Sequence, residues 1–394
     1  MKVENIVILV GGRGSRLGSL TLKTPKPLIK INGKPFLDHL ICKLIKYNFK
    51  NIFLLCSYKK KIFFNKYHNK YFHNSKIICI DEGKQKGTGG ALYKLKNKIK
   101  SHFILINGDT FFDIDYNFLK KTNISKKNIF MCLTNTKKTH NNLIMNKLLL
   151  KKKEINISYK KTNLANGGIY LINKRILNKT KSQYMSFENN ILKNEIENRR
   201  VIGKYFNDFF IDIGSLRKLR DIKKNFKQIK NNCFFLDRDG VINKENGYIK
   251  DYKDFIFLRG VHEAIKYLNN KKFIVIIITN QAAVGRGIIS EEKLNMIHNK
   301  MINNLHRKNA YIDDIYYAPY FKNSKIQKYK KSKYDRKPNI GMFLKAIKKW
   351  NIDTSSSYFI GDKVTDKMAS DKIGIKFHFK KDKSLYKQIK EIVR

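Results

Sequence analysis

Cysteine is scarce in this 394-residue chain: there are five, Cys42, Cys56, Cys79, Cys132 and Cys233, and no two of them are spaced C-x-x-C. An odd, dispersed set argues against a disulfide framework and against a clustered zinc site, which leaves reduced thiols in the core. Long apolar runs are missing too; none approaches the roughly 18 residues that a membrane-spanning helix needs. The opening Met1-Lys2-Val3-Glu4-Asn5 leads straight into the short run Ile6–Val10, which Gly11-Gly12-Arg13 ends. No signal peptide is read there, and the expectation is a cytoplasmic protein without a membrane partner. Acidic residues are few, 31 against 83 basic, for a formal net charge of +52. Such a surplus attracts anions. The lysines are spread over the whole chain beside abundant Asn, Ile, Phe and Tyr, and no RNA- or DNA-binding motif accompanies them. The charge is read as compositional, and no nucleic-acid partner is expected.

What is present suffices for two domains, with 42% hydrophobic residues over 394 positions. Ile6–Val10, Asn51–Cys56, Lys76–Ile80, His102–Ile106 and Ile129–Thr134 read as strands, being short, apolar and bounded by Gly, Asn or Lys. Pro35–Phe49 and Ala91–Ile99 read as helices between them. A second series starts at the strand Cys233–Leu236 and runs through the helix Val261–Asn269, the strand Phe273–Thr279, the helix Glu291–Leu305 and the strand Tyr358–Ile360. Alternation of this kind predicts parallel sheets covered on both faces, hence two doubly wound α/β domains, 1–230 and 231–394. The Lys/Asn-rich stretch Leu216–Asn232 is read as a short helical connector, and Lys380–Arg394 as a terminal helix.

The first strand ends in Gly11-Gly12-Arg13-Gly14-Ser15-Arg16-Leu17-Gly18. Glycines after a strand let backbone amides approach phosphate oxygens, and Arg16 can neutralise a triphosphate. A dinucleotide loop would run directly into a helix, but here Thr24-Pro25-Lys26-Pro27-Leu28 follows and brings a second cation, Lys26. The ATPase pattern G-x-x-x-x-G-K-[ST] is absent. These residues resemble the sugar-nucleotide pyrophosphorylases, with G-G-x-G-[ST]-R-L followed by P-K-P-L. The resemblance continues through Gly87-Thr88-Gly89-Gly90, Asn107-Gly108-Asp109, Asn166-Gly167-Gly168-Ile169-Tyr170, Glu188 and Phe210-Ile211-Asp212-Ile213-Gly214. It implies a Rossmann-like, GT-A-like nucleotidyltransferase in which Asp109 and Asp212 hold Mg²⁺. Arg16 and Lys26 would then balance phosphate charge. Gly11, Gly12, Gly14, Gly87, Thr88, Gly89, Asn166, Gly167 and Glu188 would contact nucleotide or sugar. Gln85-Lys86 departs from the family's usual Pro-Leu.

In the back half the strand Cys233–Leu236 delivers Asp237-Arg238-Asp239-Gly240, two carboxylates that alternation in an extended chain puts on one side. The calcium-loop pattern is not met. With Thr279, Lys337 and Gly361-Asp362 following in order, this resembles the haloacid-dehalogenase-type phosphatases. The resemblance implies Asp237 as nucleophile, Asp239 as acid and base, and Thr279 and Lys337 on the phosphoryl oxygens. Mg²⁺ would lie on Asp237, Asp362 and the Asp239 backbone carbonyl. Thr279-Asn280-Gln281, Gly285-Arg286-Gly287, Arg336-Lys337-Pro338 and Gly341-Met342 narrow the likeness to D,D-heptose 1,7-bisphosphate phosphatases and the related histidinol phosphatases. In that pattern Glu245, Tyr248, Asn280, Gln281, Arg286, Arg336 and Lys363 meet substrate. Those relatives carry a cysteine- and histidine-bearing zinc loop before R-K-P. This chain has Ala318-Pro319-Tyr320 and Lys333-Tyr334-Asp335 there and no cysteine after Cys233, so no zinc is expected.

The front half is also similar to D-glycero-α-D-manno-heptose 1-phosphate guanylyltransferases, and the H-x-G-H motif of the other heptose nucleotidyltransferase fold is absent. The joint expectation is a bifunctional enzyme making GDP-heptose from GTP for surface polysaccharide such as lipopolysaccharide or capsule. Two alternatives stand beside it. One is a hexose-1-phosphate thymidylyl- or uridylyltransferase fused to a sugar or histidinol-type phosphatase; the other is a basic nucleic-acid-binding protein.

Overall fold

The computed structural model describes all residues except 1–2, 32, 48, 73–74, 85, 136–147, 152, 159, 161, 215–218, 220–221, 223–229, 325, 331–333 and 394. The chain divides into two compact units, Met1–Phe226 and Lys227–Arg394. Most of the expected connector Leu216–Asn232 lies outside the described residues.

In the first unit a ten-stranded sheet contains four adjacent parallel strands toward one edge, in the spatial order Ser75–Asp81, Asn51–Cys56, Asn5–Leu9, Phe103–Asn107. The chain moves outward from Asn5–Leu9 on one side, then returns to pair Phe103–Asn107 on the other. That reversal leaves a crevice beyond the carboxyl ends of these two strands, where doubly wound sheets bind ligands. Tyr71–Phe72 closes the edge beyond Ser75–Asp81, and the other strands extend the sheet past Phe103–Asn107, beginning with the antiparallel Leu164–Ile172. Both faces are covered because the strands are apolar throughout. Ile6 and Ile8 pack against Leu37, Leu40, Ile41 and Leu44 of the helix Phe36–Ile45, while Val7 points the other way, to Leu92, Leu95 and Phe187.

The strand at Leu164–Ile172 has no counterpart in the pattern-based reading. Gly167 and Gly168 interrupt its apolar run, and they sit at a register shift between Asn166 and Tyr170, where glycine accommodates the irregularity. The helix expected at Ala91–Ile99 begins earlier, at Gly87, and runs to Leu92 before tightening to a 3₁₀ turn. Glycines weaken a helix in isolation. Here, however, the amides of Gly89 and Gly90 both donate to the Met185 carbonyl, at 2.8 and 3.1 Å, so a distant segment organises the first turn.

The second unit repeats the logic with five parallel strands, ordered Asp314–Ala318, Ile274–Asn280, Cys233–Leu236, Tyr358–Gly361, Lys376–Phe379. The reversal falls between Cys233–Leu236 and Tyr358–Gly361. Phe234 and Leu236 pack on the helices Val261–Asn270 and Glu291–Arg307, and Phe235 meets Phe343 of the helix Gly341–Trp350 at 5.2 Å between ring centres. A terminal helix spans Leu385–Ile392. No helix of the described residues is long and apolar enough to cross a membrane.

Candidate active sites

At the first reversal a cavity of about 530 Å³ is lined by the loop Gly11, Gly12, Gly14, Ser15 and Arg16, and by Lys26, Pro27, Glu82, Gly87, Thr88, Asn107, Gly108, Asp109, Tyr184 and Glu188. The strand Phe103–Asn107 ends just before Asp109, which pairs with Lys26. Burial opposes the Asp109 charge, but Lys26 outweighs it and holds the carboxyl below its usual range. Asp212 does not line this cavity. Its strand pairs with Thr110–Phe112, and the Ile213 amide donates to the Asp109 carbonyl at 2.9 Å, so the two aspartates belong to one backbone junction. An anionic junction facing the cations Arg16 and Lys26 suits a metal-bound polyphosphate.

Thr88 turns its hydroxyl inward. It receives the Phe187 amide at 2.8 Å and donates to Glu188 at 2.8 Å, which orients that carboxylate in the cavity. Gly89 lies beneath the Met185 strap rather than on the cavity wall. Asn166 and Gly167 likewise are not among the lining residues; Asn166 binds the Gly168 amide and the Tyr170 hydroxyl.

Two side chains of the cavity wall escaped the sequence reading, Tyr184 and Glu82. Glu82 follows the strand Ser75–Asp81 and is 5% exposed, and its carboxylate packs so closely on Gly11 that a Cβ there would lie 2.5 Å from Oε1. Burial, aided by Asp81, pushes its pKa up to about 7. A buried carboxylate without a cation beside it costs stability unless something supplies donors. The available signal was its place directly after an apolar strand that ends at the phosphate loop's level.

At the second reversal a cavity of about 630 Å³ is lined by Asp237, Asp239, Glu245, Tyr248, Thr279, Asn280, Gln281, Arg336, Lys337 and Lys363, among others. Lys337 is 3% exposed, and its ammonium meets Asp237 at 2.9 Å, Asp366 at 2.7 Å and the Ile278 carbonyl at 2.9 Å. Asn280 holds the Lys337 backbone in place through bonds of 3.0 and 3.1 Å. Thr279, next to last in the strand Ile274–Asn280, accepts from Gln281 at 2.9 Å. Lys363 pairs with Glu245 at 2.5 Å. Arg286 stands outside the cavity lining; its guanidinium lies 3.7 Å from the Phe321 ring centre.

The carboxylate of Asp239 is taken up by Arg238 (2.8 and 2.9 Å), Gln281 (2.8 Å) and Asn243 (3.0 Å). Burial opposes ionisation there, but Arg238 leads the donors that hold the carboxyl below its usual range. Behind it, His298 contacts Arg238 at 3.2 Å; burial drives the His298 pKa down to about 3, so the ring is neutral and accepts from the guanidinium.

Among the described residues, the cluster able to grip a cation consists of Asp237, Asp362 and Asp366, whose ligand atoms lie within 4.8 Å of one another. The Asp239 side chain is not part of it. Sequence reading missed Asp366 because it sits in the helix Val364–Ile373, where the turn beside Gly361 brings it back under the strand end. Gly240, at φ 76°, is required here: a Cβ would lie 2.2 Å from Asp362 Oδ2. Burial first, and the neighbouring carboxylates with it, raise Asp237 to about 6 and Asp362 to about 7, and Asp362 Oδ1 is buried without a hydrogen bond. This is the donor set of a hard divalent cation. Asp362→Asn is therefore expected to raise the melting temperature of metal-free protein by a few degrees, since it relieves repulsion. It should also remove the stabilisation of the second unit by Mg²⁺. Thermal unfolding with and without Mg²⁺ checks this, and an undiminished Mg²⁺ shift in the variant would refute the assignment.

Together the folds and sites define a two-part phosphate enzyme. Residues 5–145 match the family model described as nucleotidyl transferase, and residues 232–388 that described as polynucleotide kinase 3 phosphatase. The chain is 35% identical over 214 residues to a D-glycero-alpha-D-manno-heptose 1-phosphate guanylyltransferase of Campylobacter jejuni, covering 53% of this chain and 93% of the relative. It is 38% identical over 143 residues to a D-glycero-beta-D-manno-heptose-1,7-bisphosphate 7-phosphatase of Haemophilus ducreyi, covering 36% of this chain and 78% of the relative. It is also 36% identical over 147 residues to the alpha-anomer 7-phosphatase of Burkholderia mallei, covering 37% and 78%. The chain belongs to both families at once: the heptose 1-phosphate guanylyltransferases through its first part and the heptose bisphosphate 7-phosphatases through its second.

Proposed function

We propose that this chain makes GDP-heptose in two steps, removing the 7-phosphate of a D-glycero-D-manno-heptose 1,7-bisphosphate and transferring GMP from GTP to the resulting heptose 1-phosphate. Supporting it is the pairing of a phosphatase and a guanylyltransferase, each with its polar site built, in one chain. Substrates of this kind fit a cytoplasmic enzyme.

In the second unit Asp237 forms a bond to phosphorus as the bond to the sugar O7 breaks, giving an aspartyl-phosphate that water then cleaves. Lys337 steadies the nucleophile and the phosphoryl oxygens, and Thr279 lies near the carboxyl end of the neighbouring strand. Asp239, held ionised, is set to accept the proton of the attacking water; donating to O7 in the first half requires it to carry a proton and give up some of its donor contacts. Asp237 and Asp362, with the Asp239 carbonyl, would hold Mg²⁺, which when bound supplies charge neutralisation for the phosphate. Arg336, Lys363, Glu245 and Tyr248 at the cavity wall receive the remainder of the sugar phosphate.

In the first unit the heptose phosphate oxygen attacks the α-phosphorus of GTP and pyrophosphate leaves. Arg16 and Lys26 offset the charge on the phosphates, Asp109 and Asp212 would hold Mg²⁺, and Glu188, oriented by Thr88, binds sugar hydroxyls. GTP is the nucleotide that best suits Glu82. A buried carboxylate accepts two adjacent donors, and only guanine presents such a pair, N1–H and the N2 amino group; the Watson–Crick edges of uracil, thymine, cytosine and adenine all place an acceptor against it.

Because the guanylyltransferase relative is named for the α-anomer, a chain running both steps must keep the α configuration throughout. Incubation with GTP, Mg²⁺ and either anomer of the bisphosphate, read by mass, should give GDP-heptose, orthophosphate and pyrophosphate from the α form, and orthophosphate at most from the β form. GDP-heptose from the β form alone would overturn the α configuration, orthophosphate without GDP-heptose from either form would exclude the coupled sequence, and release of phosphate from a 3′-phosphorylated oligonucleotide in preference to the sugar would overturn the substrate class.

A further inference from the structure

The phosphatase resemblance implies a structural zinc in the loop before Arg336, and the residues present do not fit one. Among the described residues the cluster of three or more metal-capable side chains is Asp237, Asp362 and Asp366, away from this loop. Asp335, the one carboxylate adjacent to Arg336, is taken by Lys345 at 2.6 Å.

A different tie closes the loop. Glu291 opens the helix Glu291–Arg307, whose start is capped by Ser290 through the Lys293 amide at 3.1 Å. One oxygen of Glu291 accepts from Tyr317 at 2.8 Å and the other from Tyr329 at 2.7 Å. Those two hydroxyls, Tyr329 foremost, keep the carboxyl below its usual range and hence charged. Tyr317 belongs to the strand Asp314–Ala318 that leads into the loop, and Tyr329, 6% exposed, lies deep within the loop. The Phe321 amide donates to the Tyr329 carbonyl at 3.2 Å, and Ser324 is anchored to the Gly285 carbonyl. The segment so fixed meets two arginines: Arg336, on the cavity wall, donates to the Tyr320 carbonyl at 3.2 Å, and Arg286, outside it, stacks on Phe321 at 3.7 Å.

We propose that Glu291, clamped between Tyr317 and Tyr329, replaces the metal as the positioning residue of the loop that sets Arg336 for the part of the substrate that is not transferred. Two hydrogen bonds to a charged acceptor join three elements as a zinc would, without requiring thiolates. This rests on reading the second unit as a sugar-bisphosphate phosphatase.

The test uses the full chain with Glu291→Gln and Tyr329→Phe, on heptose 1,7-bisphosphate and on p-nitrophenyl phosphate, which exercises Asp237 but has no second phosphate. For the bisphosphate KM should rise about tenfold with kcat held within about threefold, while the aryl phosphate kinetics stay unchanged. Wild-type protein should carry less than about one-tenth of a zinc per chain and keep its melting temperature after chelation and return of Mg²⁺. Equal losses on both substrates, or an unchanged KM, would reduce the clamp to a stabilising contact and overturn the proposal. One tightly bound zinc per chain would do so as well. If Glu291→Gln does not fold, Tyr329→Phe, which keeps the charge and the helix start, carries the same comparison. A wild-type chain that cleaves the aryl phosphate but not the bisphosphate would instead sink the functional reading, and the clamp's role in substrate binding with it.

Discussion

Asp237→Asn is expected to end orthophosphate release from the bisphosphate, lowering kcat by about 10⁴ or more, while GMP transfer to separately supplied heptose 1-phosphate continues at the wild-type rate. The size follows from the chemistry: an amide cannot form the acyl phosphate, and the remaining groups offer only positioning and charge. The selectivity follows from the architecture, since Asp237 belongs to Lys227–Arg394 and the nucleotide cavity is built wholly from Met1–Phe226. Folding should survive, because the substitution removes a charge that burial and Asp366 already disfavour. Circular dichroism, a phosphate-release assay and a pyrophosphate-release assay on the same sample make the comparison. Residual phosphatase activity above about one part in a hundred would mean that another group is the nucleophile.

Glu82→Gln should lower kcat/KM for GTP by roughly 100-fold and raise it for UTP and dTTP. Glutamine presents one acceptor and one donor. Against guanine the donor faces the N2 amino group, whereas against uracil or thymine the pair matches N3–H and the adjacent carbonyl. The wild-type enzyme should show a weaker form of the same change with acidity. Glu82, raised to about 7, is ionised above that pH and protonated below it, and a protonated carboxyl presents one donor, as glutamine does. KM for GTP is therefore expected to climb as pH falls through 7, with discrimination against UTP narrowing, and the variant should lose this dependence. Competition between GTP and UTP at pH 6 and pH 8 reads it; a GTP preference indifferent to both pH and Glu82→Gln would place the base elsewhere in the cavity.

Much of both sites is legible in sequence order because strand ends are. An apolar run that stops just before Gly11, Asp109 or Asp237 announces a turn at the carboxyl edge of a parallel sheet, and within each unit the reversal of strand order brings two such turns side by side, Gly11 with Asp109 in the first and Asp237 with Asp362 in the second. Asn51–Cys56 and Cys233–Leu236 coincide with the strands read from pattern, since uninterrupted apolar residues between polar flanks leave little choice of state. Helix starts were less legible. Gly87–Leu92 is organised by a carbonyl from Met185, nearly a hundred positions away, and no local propensity encodes that bond.

Side-chain alliances were decided by tertiary structure alone. Sequence placed Asp239 beside Asp237, but the fold turns its carboxylate to Arg238, Asn243 and Gln281 and brings in Asp366 from a later helix. Sequence ruled out a cysteine zinc site in the last third of the chain, yet only the packed loop reveals Glu291 between two tyrosines. By itself, then, the sequence determined the two-part α/β architecture, the two reaction classes and the residues at the strand ends, because periodicity and short motifs are local. The tertiary structure decided which carboxylates cluster, that Glu82 is buried against Gly11 in the first cavity, and what holds Arg336 and Arg286. Those depend on burial and on contacts between residues far apart in the chain, which no local pattern records.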